Sequence, residues 1–149
     1  MESDATRDAA KRLKVELTWL PVYAASDFNA ALDAVARGGA QGLIAVPDNL
    51  MLEQAKVIAA FGIKQQIPAI SGLAEFVDAG NFLSYGPAQR DVYAKLAGYA
   101  DKVLRGANPG ELPVENPTRF ELVFNLKLAR ALNMKVPQPV LLRADRVIE

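Results

Sequence analysis

Apolar and polar positions change period repeatedly along this chain. In "VELTWLPV" (15–22) they alternate and put Val15, Leu17 and Trp19 on one side, the period-two pattern of a strand. From Ser26 the period lengthens: Phe28, Ala31, Leu32 and Val35 follow helical spacing behind a residue suited to capping them, and Gly38-Gly39 ends the run. "GLIAVP" (42–47) is continuously apolar, as a strand covered on both faces should be. Asp48 or Asn49 opens the next helix, with Met51, Ala55, Ile58 and Phe61 on its apolar side and Gly62 closing it.

The alternation continues to the end of the chain. "PAIS" (68–71) reads as a short buried strand, "LAEFVDA" (73–79) as a brief helix stopped by Gly80, and "FLSY" (82–85) as a further strand before Gly86-Pro87. A longer helix is predicted over 89–105, with Val92, Leu96, Tyr99 and Val103 on one face and Gly106 after it. "RFELVFN" (119–125) alternates, with Phe120, Leu122 and Phe124 on one side. "LKLARALNM" then suits a short helix, and "PQPVLLRADRVIE" one helical turn and a short edge strand. Residues 4–13 suit an exposed helix.

Strands alternating with helices across short loops predict an α/β fold: a mostly parallel sheet with helices on both faces. No internal repeat is visible. Pro and Gly cluster at 106–118, which makes this the best linker candidate. The expected organisation is an α/β ligand-binding subdomain over 1–87, then a segment over 88–149 holding a crossover helix, a Pro-rich connection and a C-terminal strand–helix part.

Composition narrows the chemistry. The 149 residues are 51% hydrophobic, enough for one domain that buries about 70% of its unfolded surface. Lys+Arg and Asp+Glu are balanced at 17 each, so no general attraction to nucleic acid or an anionic membrane is expected. There is no His and no Cys. That removes the commonest neutral-pH general base, thiolate nucleophiles, disulfides and zinc–thiolate sites. No metal or cofactor is implied. No apolar run approaches the ~18 residues of a membrane span, and "MESDATRDAAKRLK" lacks the apolar stretch of a secretion signal.

In open α/β sheets ligands bind beyond the carboxyl ends of the strands. Three loops qualify: "PDN" (47–49), "SGL" (71–73) and "SYGP" (84–87). The candidate contacts are Asp48, Asn49, Ser71, Gly72, Ser84 and Tyr85. Taken singly, each has a structural role that explains it: Asp48 or Asn49 as a helix cap, Ser71-Gly72 as the start of a helix, Ser84 as a strand end, Tyr85 as a packed ring. Asn49 capping while Asp48 points outward would satisfy both roles. Gly38, Gly39 and Gly42 lack the spacing of a phosphate-binding loop. Trp19 suits core or interface, and Lys135, Arg143 and Arg146 a solvated face.

"VPDN" after a strand, "IPAISGLAEFVDAGNFLSYG", "KVLRGANPGELPVE", "FELVFNLKLARALNMKVP" and "LLRADRVIE" together resemble the substrate-binding proteins of ABC importers, in the family typified by proposed tryptophan and tyrosine binders. The tail is the most specific part, and the resemblance runs from about Lys14 onward. It implies a type I periplasmic-binding-protein fold, a non-enzymatic role, a small organic ligand such as an amino acid or aromatic acid, an ABC permease as partner and an extracytoplasmic location. Family members are about twice this length, with a signal sequence and a first lobe, so the chain is expected to carry the second lobe and half a site. Asp48 would then pair with a ligand amine or hydroxyl, and Tyr85 would sit where the chain crosses between lobes.

The resemblance also implies that the 89–105 helix has lost a packing surface. The expectation is cover by folding back or by a second copy, as a homodimer exchanging 88–149 about a hinge at 84–90. Two other readings stay open from the sequence. One is a ligand-sensing regulatory domain, which lacks a basic recognition helix here. The other is a small α/β enzyme, which would need a mechanism built on Asp, Ser, Lys or Tyr.

Overall fold

The computed structural model describes residues 2–149, with side chains described from Asp4 onward. Five strands form one sheet in chain order: β1 (Leu43–Ala45), β2 (Ala69–Ser71), β3 (Leu83–Pro87), β4 (Phe120–Asn125) and β5 (Arg146–Ile148). Three neighbouring pairs are parallel and β3–β4 is antiparallel. Helices fill the crossovers: α1 (Glu2–Leu13) and α2 (Phe28–Arg37) precede β1, α3 (Asn49–Glu53) and α4 (Ala55–Gln65) lead to β2, and α5 (Ala74–Asp78) leads to β3. Then α6 (Gln89–Leu104) separates β3 from β4, with α7 (Leu126–Ala131) and α8 (Gln138–Leu141) between β4 and β5. The mostly parallel α/β sheet expected from the sequence is therefore present.

Register sorts the side chains onto two faces. One row runs Ala45, Ser71, Ser84, Val123, Arg146; the next runs Ile44, Ile70, Leu83, Phe124, Val147. Successive strand residues point to opposite faces, so these rows belong to opposite sides. On the first side, Phe28 and Leu32 of α2, Ala55 and Ile58 of α4 and Phe76 of α5 pack on Ala45 and Ala69. On the second, Leu128, Ala129 and Leu132 pack on Phe82 and Phe124, whose rings meet edge to face at 5.8 Å, with Ile70, Leu83 and Leu122 joining them. Each large side chain buried this way stabilises the fold by about 1.5–3 kcal/mol. The second cover is incomplete, because α7 and α8 follow β4 and lie over β3–β5. Ile44 on β1 stays 54% exposed.

Three elements depart from expectation. Ser26 does not cap α2: it lies within the turn Ala25–Asp27, and Asp27 directly precedes the helix. Residues 15–22 form no strand. A strand needs a neighbour to take its N–H and C=O groups, and none pairs with this segment. Val15 and Trp19 are exposed, and Val22 alone reaches the first core. The one helix expected from Asp48 or Asn49 to Gly62 is two, α3 and α4, divided at Gln54, and α4 runs to Gln65, where Gln66 takes the left-handed cap conformation at φ 57°. Gly62 serves the return of the chain instead: a Cβ there would stand 2.7 Å from the Ile67 carbonyl oxygen.

None of the sixteen residues of α6 is buried. Part of its apolar stripe is covered from within the chain. Tyr99 donates its hydroxyl to the Pro113 carbonyl, and Lys95 pairs with Glu115 at 3.0 Å, so the Pro-rich connection lies back along the helix. Val92 and Tyr99 are thereby half-buried, whereas Leu96 and Val103 remain exposed.

Candidate ligand-binding rim

The three candidate loops lie side by side because their strands do. Ala45, Ser71 and Ser84 are in register across β1, β2 and β3, so the segments that follow them leave one edge of the sheet together. Two glycines close the gaps. A Cβ on Gly72 would stand 2.7 Å from Cγ of Pro47, and one on Gly86 would overlap the Gly72 backbone. Pro47, Gly72 and Gly86 thus form a continuous contact along the carboxyl ends of the parallel strands.

Asp48 is the cap of α3. Its backbone is extended (φ −151°, ψ 171°) and its Oδ1 accepts the Met51 amide at 2.6 Å. Asn49 is the first residue of that helix. The division of labour is therefore the reverse of the one in which Asn49 caps and Asp48 faces outward. A carboxylate has two oxygens and about four acceptor positions, so the capping bond leaves the exposed Asp48 with acceptor capacity to spare.

The remaining candidates divide between the faces. Ser71 and Ser84 belong to the row covered by the first core. Ser71 is buried, and Ser84 is only 1% exposed, its Oγ buried without a hydrogen-bond partner. Tyr85 lies on the opposite face and is 62% exposed, its ring stacked on Phe120 at 5.7 Å and 28°. The strand ends converge, but these side chains do not point into one cavity.

Several polar side chains have roles that, Asn125 apart, no local pattern announces. Asn81, fully buried, donates to the carbonyls of Ala55 (2.7 Å) and Phe76 (3.0 Å), tying α4 and α5 to the start of β3. Asn125 caps α7 through the Leu128 amide; an Asx residue between an apolar strand and a helical run was the signal for it. Arg146 is not simply a solvated cation. It reaches Asp78 with both guanidinium nitrogens at 2.6 and 3.1 Å, fastening β5 to α5, and this bond raises its pKa above the ordinary value. Phe120 lies on the strand face that the alternation predicts, is 46% exposed and stacks on Tyr85.

Charge perturbations lie away from the rim. The Asp27 carboxyl is held below its ordinary value by amide bonds from Tyr23 and Ala24. Glu115 is lowered chiefly by its pairing with the Lys95 ammonium. Among the described residues no group of three or more acidic side chains is placed to hold a metal ion, and no helix is long and apolar enough to cross a membrane. The rim offers hydrogen-bond acceptors, one surplus carboxylate oxygen and an aromatic pair, which suit binding rather than bond making.

Residues 2–148 match the family model described as ABC transporter substrate binding protein. A tyrosine-binding protein of Clostridioides difficile is 24% identical over 136 residues, covering 91% of this chain and 39% of the relative. Two crystal structures share the fold. One is a conserved domain protein from Vibrio cholerae: TM-score 0.90, 22% identity, 97% of this chain and 49% of that one. The other is an ABC domain in complex with L-Trp from Streptococcus pneumoniae: TM-score 0.91, 19% identity, 99% of this chain and 50% of that one. A ligand-free, open substrate-binding protein from Clostridium difficile superposes at TM-score 0.69, with 19% identity over 98% of this chain and 48% of that one. The chain spans about half the length of these solved structures, or less of the tyrosine-binding relative.

Proposed function

The chain belongs to the ABC transporter substrate-binding protein family, a family of binding proteins rather than enzymes, and from that premise we propose that it is one lobe of an extracytoplasmic receptor that hands a small organic ligand, such as an amino acid or an aromatic acid, to an ABC permease. The observation that carries this reading is the in-register convergence of the loops after β1, β2 and β3 on one edge, packed together at Pro47, Gly72 and Gly86. Neighbours that bind tyrosine and tryptophan favour an aromatic amino acid.

In this reading Asp48 keeps its capping bond and gives its other oxygen to the ligand ammonium. Asn49 and Gly72 border the same edge, Ser71 and Ser84 set its floor from below, and Tyr85 flanks it. We read 1–87 as the part that carries the rim, and 88–149 as the part that crosses away and returns to complete the sheet. Closure of a second lobe would bury the ligand and supply most of the affinity, so the present chain alone binds weakly.

The uncovered part of α6 fits the same picture. A helix exposing Leu96 and Val103 along one stripe is expected to find a covering surface. In the isolated chain we infer that a second copy supplies it, by exchange of 88–149 about residues 84–90.

Saturation-transfer NMR on the 149-residue chain with a panel of free amino acids tests the ligand assignment. Transfer to L-tyrosine or L-tryptophan that weakens in Asp48→Ala is the expected result. No transfer to any member of the panel contradicts it.

A further inference from the structure

The second sheet face has a cover that ends abruptly. Leu83, Leu122 and Phe124 lie under α7 and α8. The next residues of the same face, Tyr85 and Phe120, are 62% and 46% exposed and stack on one another. Register explains the pairing: Tyr85 lies opposite Leu122 and Pro87 opposite Phe120, which sets the two rings diagonally across the antiparallel pair. Such a cross-strand aromatic pair stabilises the strand pairing by itself. This pair lies beyond the cover, and its open ring faces belong to no core.

Position gives the pair its meaning. Tyr85 immediately precedes Gly86, whose backbone touches Gly72, which in turn touches Pro47, the neighbour of Asp48. Phe120 begins β4, where the chain re-enters the sheet at that same edge. A continuous line of contacts therefore joins a carboxylate with spare acceptor capacity to an exposed two-ring platform. A carboxylate at one end and a flat apolar surface at the other match a molecule with an ammonium group and a planar ring. Aromatic rings stack offset on such platforms and gain more than their buried area alone.

Resting on the receptor reading above, we propose that Tyr85 and Phe120 form the ring-binding platform of the rim and make it select aromatic over aliphatic amino acids, with Phe120 as the specificity-determining residue. Phe120 supports Tyr85 from one side and offers its own edge to the ligand, so removing its ring loosens both.

The test follows the 13C-resolved aromatic resonances of Tyr85 and Phe120 in the 149-residue chain during titration with L-tryptophan and with L-leucine. Both rings are expected to shift with L-tryptophan and not with L-leucine. Phe120→Leu should reduce the tryptophan-over-leucine preference at least fivefold, and Phe120→Tyr should keep it within twofold. Thermal melts of the variants report folding separately, and a variant that melts below the titration temperature is replaced by Phe120→Met. If L-tryptophan shifts the amides of residues 48, 49 and 72 but neither ring, or if Phe120→Leu binds with unchanged preference, the platform is overturned while the receptor reading stands. If no resonance responds to any amino acid, both are overturned.

Discussion

Gly86 lies directly on the backbone of Gly72, so that no side chain of any size fits at position 86. This contact sets the spacing between β2 and β3 at the edge where the candidate site lies. Gly86→Ala is therefore expected to push the two strands apart and to cost about 3 kcal/mol, the upper range for overpacking. Gly98 provides the contrast, since a Cβ there meets nothing within 4 Å on an exposed helix. Gly98→Ala should raise stability by about 0.4–1 kcal/mol. Urea denaturation of the two variants checks both signs.

Asp48 holds the first turn of α3 through Met51. Loss of that acceptor in Asp48→Ala should cost about 1 kcal/mol of folding stability. Asp48→Ser retains a cap and should recover most of it. Under the proposed function the two variants part company in binding: both remove the carboxylate, so both should lose the ligand ammonium. Stability that recovers while binding does not is the outcome that separates the two roles of this residue.

Asp27 contributes to the acid limb of stability, beside Glu115. The Asp27 carboxylate accepts the amides of Tyr23 and Ala24, and its folded pKa lies below the ordinary value of 3.8. A depressed folded pKa means that the unfolded chain binds the proton more readily. The stabilisation is complete above pH 3.8 and is lost as pH falls through the lower folded value. Asp27→Asn removes this titration, so its stability should vary less with pH below about 4 than that of the parent chain. Chemical denaturation at a series of acidic pH values reads the difference.

The partly bare α6 stripe predicts association. Light scattering across a concentration series should show a dimer. Leu96→Glu and Val103→Glu should shift the chain toward monomer by placing a charge on the stripe. A chain that stays strictly monomeric at high concentration, with α6 and the following segment extended, contradicts the exchange.

Much of this fold was legible because local pattern and tertiary environment agree. Strands lie within the apolar runs at 42–47 and 68–71 and at 120–125 as expected, but Ile44 is exposed where cover on both faces was expected, and burial along 120–125 rises toward Asn125 rather than alternating. The sequence misleads where a local pattern needs a distant partner. Residues 15–22 have strand periodicity but no ladder to join. Gly62 has the composition of a stop but marks a close approach to Ile67. The rim was readable as a set of loops, because strand ends and polar residues are local features. That Ser84 and Tyr85 lie on opposite faces follows from strand alternation, but which of the two faces is covered at that point depends on where distant helices pack. The Arg146–Asp78 and Tyr85–Phe120 contacts join residues 68 and 35 positions apart, and no single stretch of sequence signals them.

The loops after β1, β2 and β3 are proposed to act as one ligand-binding edge. Amide chemical-shift mapping of the 149-residue chain titrated with L-tryptophan tests this most directly. The shifts are predicted to fall together on residues 48–49, 71–73 and 84–86, with a single binding curve. Shifts scattered over α1 or α8, or confined to just one of the three loops, would contradict it.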